Sequence, residues 1–112
     1  MGSLRPQIKR GSAEVAILAV LADQPLHGYE IAKAIERGTQ GALSFNLASL
    51  YPMLYRLEKR GWVKGTWEAK QVGRRRRYYR LTAAGEKQLV TLGKQWRVFF
   101  RALDRLVGVA RA

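Results

Sequence analysis

Residues 82–107 constrain the possible fold more than any other part of this 112-residue chain. Thr82 is a suitable N-cap, and apolar side chains then recur every three to four residues, which predicts a long amphipathic helix. Its apolar face contains aromatic residues, as in helices that pair with another helix. We therefore expect residues 82–112 to form a C-terminal dimerisation helix, whose helical pattern ends at about Val107. At two positions the pattern allows a choice, between Phe99 and Phe100 and between Leu106 and Val107. The predicted interface consists of Leu89, Leu92, Trp96, Phe99, Phe100, Leu103 and Leu106.

Residues 1–81 have the periodicities of three short helices followed by a β-hairpin. Prolines and glycines at positions 25, 38, 41 and 61 mark the ends of the helices. The hairpin strands are rich in aromatic and β-branched residues, and Gly73 lies in their turn. This order predicts a mostly α fold with a β-hairpin wing, namely a winged helix-turn-helix domain over residues 1–81. The predicted helices cover residues 12–22 (with Ser12 as the N-cap), 27–37 and 46–60, and the strands cover 62–69 and 75–81.

The third predicted helix has one apolar and one polar face. Leucines at positions 47, 50, 54 and 57 form the apolar stripe. At 100° per residue, the opposite side carries Ser49, Pro52, Tyr55, Arg56 and Lys59. If Asn46 is the N-cap, Pro52 lies in the second turn and removes a backbone hydrogen bond. If Ser49 is the N-cap, Pro52 lies in the first turn at little cost, and the sequence allows both alternatives.

The chain is strongly basic, with 21 Lys and Arg against 8 Asp and Glu and a formal net charge of +13. Such a charge attracts polyanions, so nucleic acid or an anionic membrane surface is the expected partner. Four of the basic residues are adjacent in the predicted wing: Arg74, Arg75, Arg76 and Arg77. Such a run is often only a solvated face. On a hairpin, however, arginine suits the narrow, electronegative minor groove and its phosphates, so we interpret the run as a DNA contact.

Other classes of function lack the side chains that they need. The chain has no cysteine and a single histidine, His27, which leaves little material for a metal site or a nucleophilic dyad. We find no paired carboxylates and no phosphate-binding loop, and therefore expect neither an enzyme nor a cofactor. The apolar stretch at 15–22 is far shorter than the roughly 20 residues that cross a bilayer, and the N-terminus lacks an export pattern. A cytoplasmic, nucleoid-associated protein without a membrane partner is expected.

Four short blocks of the sequence carry a family resemblance. They are PLHGYE at 25–30, SLYP at 49–52, LEKRG at 57–61 and RYYRLTAAG at 77–85. In order and spacing, these blocks resemble the PadR family of bacterial transcriptional regulators over residues 12–89. The single C-terminal helix is similar to that of the smaller PadR subfamily. The resemblance implies a homodimer that represses its target promoter and often releases DNA when a small aromatic molecule binds.

The resemblance also implies a place for such a ligand. Some members of the smaller subfamily bind flat aromatic compounds at the dimer interface, beside one tryptophan of the first wing strand and one of the last helix. The matching residues here are Trp67 and Trp96, and Phe99 and Phe100 follow Trp96. Because no acidic residue lies within a turn of Trp96, neutral or anionic aromatics suit this composition better than cationic ones.

In helix-turn-helix proteins the second helix of the motif enters the major groove. Here we expect Ser49 and Arg56 to contact base edges or phosphate, Tyr55 to pack on a sugar or thymine methyl, and Lys59 to reach the backbone. A non-specific nucleic-acid-binding or nucleoid-associated protein is the alternative. The predicted DNA-binding residues are His27, Gly28, Tyr29, Asn46, Ser49, Tyr51, Pro52, Tyr55, Arg56, Lys59, Arg74, Arg75, Arg76 and Arg77.

Gly28 has one expected role, whereas His27 and Tyr51 each have competing interpretations. Gly28 is expected to allow the close approach of a phosphate to an exposed helix N-terminus. His27, at the same helix start, is equally explained as a partner for Glu30 or for a carbonyl group. Tyr51 lies about 80° from the apolar stripe, which favours core packing over DNA contact.

Overall fold

Four helices and a small sheet make up the part of the chain that the structure describes. The computed structural model describes the backbone of residues 6–68 and 75–111, and the side chains of residues 11–68 and 75–108. In chain order the elements are α1 (Pro6–Val20), β1 (Leu26–His27), α2 (Gly28–Gly38), α3 (Leu47–Lys59), β2 (Val63–Trp67), β3 (Arg77–Leu81) and α4 (Ala83–Arg111). This arrangement confirms the predicted mostly helical fold with a hairpin wing. The predicted turn, residues 70–74, lies outside the described residues, as does Arg74.

The sheet has three antiparallel strands in the order β1-β3-β2, one more than the sequence predicted. Leu26 and His27 of β1 pair with Tyr79 and Tyr78 of β3. A strand of two residues has no periodicity to detect, which is why the sequence pattern missed it. Tyr79 is buried and Tyr78 is half-buried, because successive side chains of a strand point to opposite faces of the sheet. Strand β1 therefore attaches the start of α2 directly to the wing.

The first helix covers Pro6–Val20, so the predicted range of 12–22 was wrong at both ends and Ser12 lies inside the helix. Part of the added segment lies close to the last helix. A Cβ atom on Gly11 would lie 3.4 Å from the Trp96 ring, so α1 and α4 approach closely at this point. This contact lies in the part of α1 that the local sequence pattern does not indicate.

Helices α1, α2 and α3 enclose the core together with β2. Within the apolar stripe of α3, the leucines at positions 50, 54 and 57 are buried as predicted. Leu47 is 37% exposed, so its predicted burial was wrong, and Met53 is buried instead. Leu47 is the first residue of its helix and lies between the exposed residues Asn46 and Ala48. The largest fully buried side chains are Ile17, Leu18, Ile31, Ile35, Leu50, Leu54, Leu57 and Val63.

Side-chain caps define the starts of α3 and α4. The Ser49 backbone N–H donates to Asn46 Oδ1 at 2.8 Å, so Asn46 is the N-cap and Pro52 lies in the second turn. For α4, the Gly85 N–H donates to Thr82 Oγ1 at 3.0 Å, while the Thr82 hydroxyl donates to the Gly61 carbonyl at 2.6 Å. The Thr82 cap thus agrees with the sequence, and it also ties α4 to the end of α3.

Helix α4 is 29 residues long and continues to Arg111, past the predicted end at 107. Leu89 and Leu92, which the sequence placed in the dimer interface, pack against the core of their own chain, whereas the large apolar side chains from Phe99 to Val107 are exposed. The long helix gives the chain its elongated dimensions of 62 × 30 × 21 Å. Among the described residues, no helix combines the length and the apolar character needed to span a membrane.

Candidate nucleic-acid interface

The polar face of α3 is open to solvent. Ser49, Pro52, Tyr55, Arg56 and Lys59 are all exposed, as the helical periodicity predicted, and Tyr55 is 64% exposed. The Lys59 ammonium lies 5.6 Å from the centre of the Tyr55 ring, where the cation and the ring attract each other. Asn46 precedes this face, and its side-chain oxygen is used by the helix cap. The exposed side chains of α3 are therefore available to contact a bound molecule.

His27 begins α2 as part of a capping box. The Glu30 N–H donates to His27 Nδ1 at 3.4 Å, and the His27 N–H donates to Glu30 Oε1 at 3.1 Å. Of the two interpretations of His27, the structure therefore supports the pairing with Glu30. The His27 ring also packs edge-on against Tyr78 of β3, at 5.4 Å between ring centres.

Gly28 and Tyr51 form a contact that corrects two expectations. Gly28 is buried, and a Cβ atom on it would lie 2.5 Å from the Tyr51 hydroxyl oxygen. The absence of a side chain at Gly28 thus makes room for the tyrosine, so the expected open approach of a phosphate to Gly28 is wrong. Tyr51 is 45% exposed, so the expected core packing is also wrong. One side of Tyr51 covers Gly28, and the other remains accessible.

Tyr29 belongs to a different surface. It is 55% exposed, and the Lys33 ammonium lies 5.6 Å from the centre of its ring. Both residues line a groove of about 480 Å³ between α2 and the end of α1, which also includes Val20 and Asp23. The structure therefore separates Tyr29 from the other predicted DNA-binding residues at the start of α2.

The wing arginines have two different environments. Arg75 and Arg76 are exposed, and the Arg75 guanidinium lies 5.4 Å from the centre of the Trp67 ring. Arg77 points back to α3, where its Nη2 atom donates to Glu58 Oε2 at 2.7 Å. Within the described part of the chain, no acidic side chain forms a salt bridge with Arg75 or Arg76. Their positive charges therefore remain available to an anion.

A groove of about 420 Å³ separates α3 from the wing. Tyr51 contributes one wall, and Trp67, 52% exposed, belongs to the wing. Burial raises the pKa of the Tyr79 phenol above its usual value of 10.0, an effect that the nearby positive charge of Arg77 partly offsets. Tyr79 thus stays uncharged at neutral pH, and the groove keeps its positive charge. Its lining residues are His27, Tyr51, Trp67, Arg75, Arg76, Arg77 and Tyr79.

The predicted ligand residues fall into two places within one chain. Trp96 packs against Phe99 and Phe100 on α4, with ring centres 5.8 Å and 5.2 Å apart. A shallow cavity of about 390 Å³ is lined by Gln95, Trp96 and Phe99. Trp67, by contrast, lies in the groove between α3 and the wing. Within one chain, the aromatic cluster of α4 therefore does not include Trp67.

Sequence reasoning assigned no role to Glu58, although it lies in the block LEKRG. Its Oε2 atom accepts hydrogen bonds from the Gly65 N–H at 3.1 Å and from Arg77. A second ion pair, between Arg60 and Glu14 at 2.9 Å, joins the end of α3 to α1 and was also missed. Each pair joins residues far apart in sequence, so no local pattern indicates it. The scarcity of acidic residues in so basic a chain was the one available signal.

The fold and this surface together define a class of protein. A helix-turn-helix with an exposed polar helix and a basic wing is the arrangement of DNA-binding transcriptional regulators. Residues 17–91 match the family model described as the transcriptional regulator PadR-like family. The chain belongs to this family, as its sequence blocks predicted.

Solved structures of transcriptional regulators agree with this assignment, and a curated relative is similar to the chain in sequence. A transcriptional regulator from Clostridium thermocellum superposes with a TM-score of 0.81 at 28% identity, over 91% of this chain and 96% of that one. A PadR-like transcriptional regulator from Bacillus cereus gives a TM-score of 0.77 at 27% identity, over 90% and 96% of the two chains. An uncharacterized protein from Lysinibacillus sphaericus is 32% identical over 93 residues, covering 83% of this chain and 85% of that protein.

Proposed function

We propose that this PadR-like regulator is a sequence-specific repressor that binds duplex DNA as a homodimer. One observation carries the proposal: Tyr51 of α3 and the arginines of the wing line a single groove. The exposed face of α3 and the free charges of the wing are therefore adjacent. A duplex that receives α3 in its major groove would bring its phosphate backbone to Arg75 and Arg76.

Base selection and affinity then depend on different residues. Ser49, Tyr55 and Arg56 on the exposed face of α3 are proposed to read base edges, with Lys59 on the backbone. Arg75 and Arg76, together with Arg74 from outside the described residues, are proposed to bind phosphates whatever the sequence. His27 and Tyr51 complete the surface between these two sets.

The second copy is proposed to cover the exposed face of α4. Six apolar side chains lie on an arc of about 120° around this helix. Several of them are substantially exposed in one chain, Phe100 to 53% and Leu106 to 68%, and an apolar face of this size is typical of an interface. The six residues are Trp96, Phe99, Phe100, Leu103, Leu106 and Val107.

A comparison of two duplexes tests the proposed DNA specificity. The full chain first selects a preferred duplex from a random library, and its affinity for that duplex is then compared with its affinity for unselected DNA. We expect a ratio of about 10³ or more, which is typical of specific binders. A ratio near one would instead show the alternative, a non-specific nucleic-acid-binding protein.

Release by a small aromatic ligand is the last part of the proposal, supported by the aromatic cluster on α4. Stacking on Trp96 in a Trp62→Phe, Trp67→Phe background would quench its fluorescence, and a true effector would also lower the affinity for the selected duplex. Trp96→Ala should abolish both effects while the dimer persists. A panel of neutral and anionic planar compounds that leaves DNA binding unchanged would refute this part alone.

A further inference from the structure

We infer that Glu58, Gly65 and Arg77 form a wing anchor, a positioning device that holds the wing at a fixed orientation to α3 and so contributes to DNA specificity. Arg77 is therefore a positioning residue, unlike Arg75 and Arg76 of the same run. The inference rests on the proposed DNA-binding function and adds a set of residues that controls it.

Hydrogen bonds from both wing strands meet at one carboxylate oxygen. Glu58, near the end of α3, accepts from the Gly65 N–H of β2 at 3.1 Å and from Arg77 Nη2 of β3 at 2.7 Å. The side chains of Glu58 and Arg77 are 30% and 28% exposed, so water screens their attraction only in part. Charge-assisted hydrogen bonds of this kind are among the stronger polar contacts in proteins.

Gly65 provides the space that the arginine needs. A Cβ atom at Gly65 would lie 2.5 Å from Arg77 Nε and 2.7 Å from its Cζ, so any larger residue displaces the guanidinium. The guanidinium also lies 5.6 Å from the centre of the Trp67 ring and 5.8 Å from that of Tyr79. The Arg77 guanidinium thus binds a carboxylate, occupies the space above the Gly65 backbone and lies near two aromatic rings. These contacts disfavour its movement to a DNA phosphate.

The anchor matters because α3 and the wing contact DNA at different places. Base contacts by α3 are specific only when the helix enters the groove at the correct angle, and backbone contacts by the wing set that angle. A wing that moves freely would still bind phosphate through Arg75 and Arg76. Loss of the anchor should therefore lower specificity more than it lowers total affinity for DNA.

For Glu58→Gln, electrostatics alone and the wing anchor predict opposite changes in the affinity for the selected duplex. The change removes one negative charge from a strongly basic chain, so electrostatics alone predicts tighter binding to every duplex. The wing anchor predicts about tenfold weaker binding to the selected duplex and no loss on unselected DNA. Glu14→Gln is the matched control, because it removes the same charge and breaks the Arg60 ion pair away from the wing. Its ratio of selected to unselected affinity should match that of the unsubstituted chain.

Gly65→Ala tests the same anchor without any change in charge. The added methyl meets the end of a flexible side chain rather than backbone, so Arg77 moves and the fold is retained. We expect the same loss of specificity as in Glu58→Gln. Hydrogen exchange measured by mass spectrometry should show faster exchange of β2 and β3 in both variants, but not in Glu14→Gln. This readout needs no DNA.

Salt dependence separates the two kinds of arginine. Arg75→Gln should lower the slope of log K against log salt concentration by about 0.9, as expected for one lost phosphate contact. Arg77→Gln should weaken binding to the selected duplex and leave that slope unchanged.

Unchanged specificity and exchange in both Glu58→Gln and Gly65→Ala, or a slope change in Arg77→Gln equal to that in Arg75→Gln, would overturn the wing anchor. A parent chain that selects no duplex would instead refute the proposed function, while hydrogen exchange still decides whether the anchor holds the wing.

Discussion

At the scale of single residues, two glycines of α4 have opposite requirements. Gly85 is buried, and a Cβ atom there would overlap the backbone carbonyl oxygen of Trp62. Gly93, two turns further along, has only the flexible end of Arg97 nearby, at 3.6 Å. The same residue type is thus required by packing at one position and is merely permitted at the other.

This difference predicts opposite effects on stability. Gly85→Ala should lower the free energy of unfolding by about 2–3 kcal/mol, because backbone must shift to admit the methyl group. Gly93→Ala should raise it by about 0.5–1 kcal/mol, since alanine is the better helix former. Urea unfolding of both variants at one protein concentration measures the difference. Equal free energies of unfolding for the two variants would show that the structure admits a methyl group at Gly85 at no cost.

Residues that act alone were easier to predict than residues that act in pairs. The exposed face of α3 follows from the helical period, so Tyr55 and Arg56 were placed correctly. The environment of Tyr51 depends on Gly28, which lies on another helix, and that of Arg77 depends on Glu58. Such contacts form only when distant segments meet, so the sequence pattern identified these residues without showing what they touch.

At the scale of elements, a single hydrogen bond identifies which of two candidate residues is the N-cap of α3. Sequence alone left Asn46 and Ser49 as possible N-caps, and the hydrogen bond to Asn46 Oδ1 selects the first. The consequence is that α3 contains Pro52 in its second turn, where one backbone hydrogen bond is missing. The helix is nevertheless retained, because its apolar stripe is buried in the core.

Substitution of the two candidate caps should give unequal results. Asn46→Ala should destabilise the chain by about 1 kcal/mol, the usual cost of losing an N-cap. Ser49→Ala should change stability by less than about 0.5 kcal/mol, because Ser49 is exposed and its side chain makes no part of the cap. Thermal unfolding followed by circular dichroism distinguishes the two, and a larger effect at Ser49 would contradict the cap described above.

Other element boundaries depended on tertiary packing. The sequence placed α2, α3, both wing strands and α4 in the correct order. It started α1 six residues late, and the added segment includes Gly11, which lies close to Trp96 of α4. Strand β1 was missed because its two residues are held by pairing with β3 and not by their own pattern.

At the scale of the whole molecule, the two faces of α4 predict different responses to charge. Leu103 is 41% exposed on the apolar face, and Val98 is 60% exposed on the other side of the helix. Leu103→Glu should yield a folded monomer, because a buried unpaired carboxylate is costly at an interface. Val98→Glu should leave the dimer intact. Sedimentation velocity at micromolar concentration gives the comparison, and an unsubstituted chain that sediments as a monomer would refute dimerisation through α4.

The continuity of α4 has a consequence for spacing along DNA. One helix, about 43 Å long, is packed into the core at Leu89 and Leu92 and carries the proposed pairing face at its other end. If α4 pairs as proposed, the two helices act as rigid arms, and the angle between them sets the distance between the two α3 helices. To occupy two half-sites, that distance has to match one turn of B-DNA, about 34 Å, or a multiple of it. A rotation of roughly 10° over the length of the arm displaces its end by about 7 Å, or some two base pairs. In the proposed dimer, a small molecule bound between the arms would thus prevent both half-sites from being occupied at once without touching the DNA-binding surface.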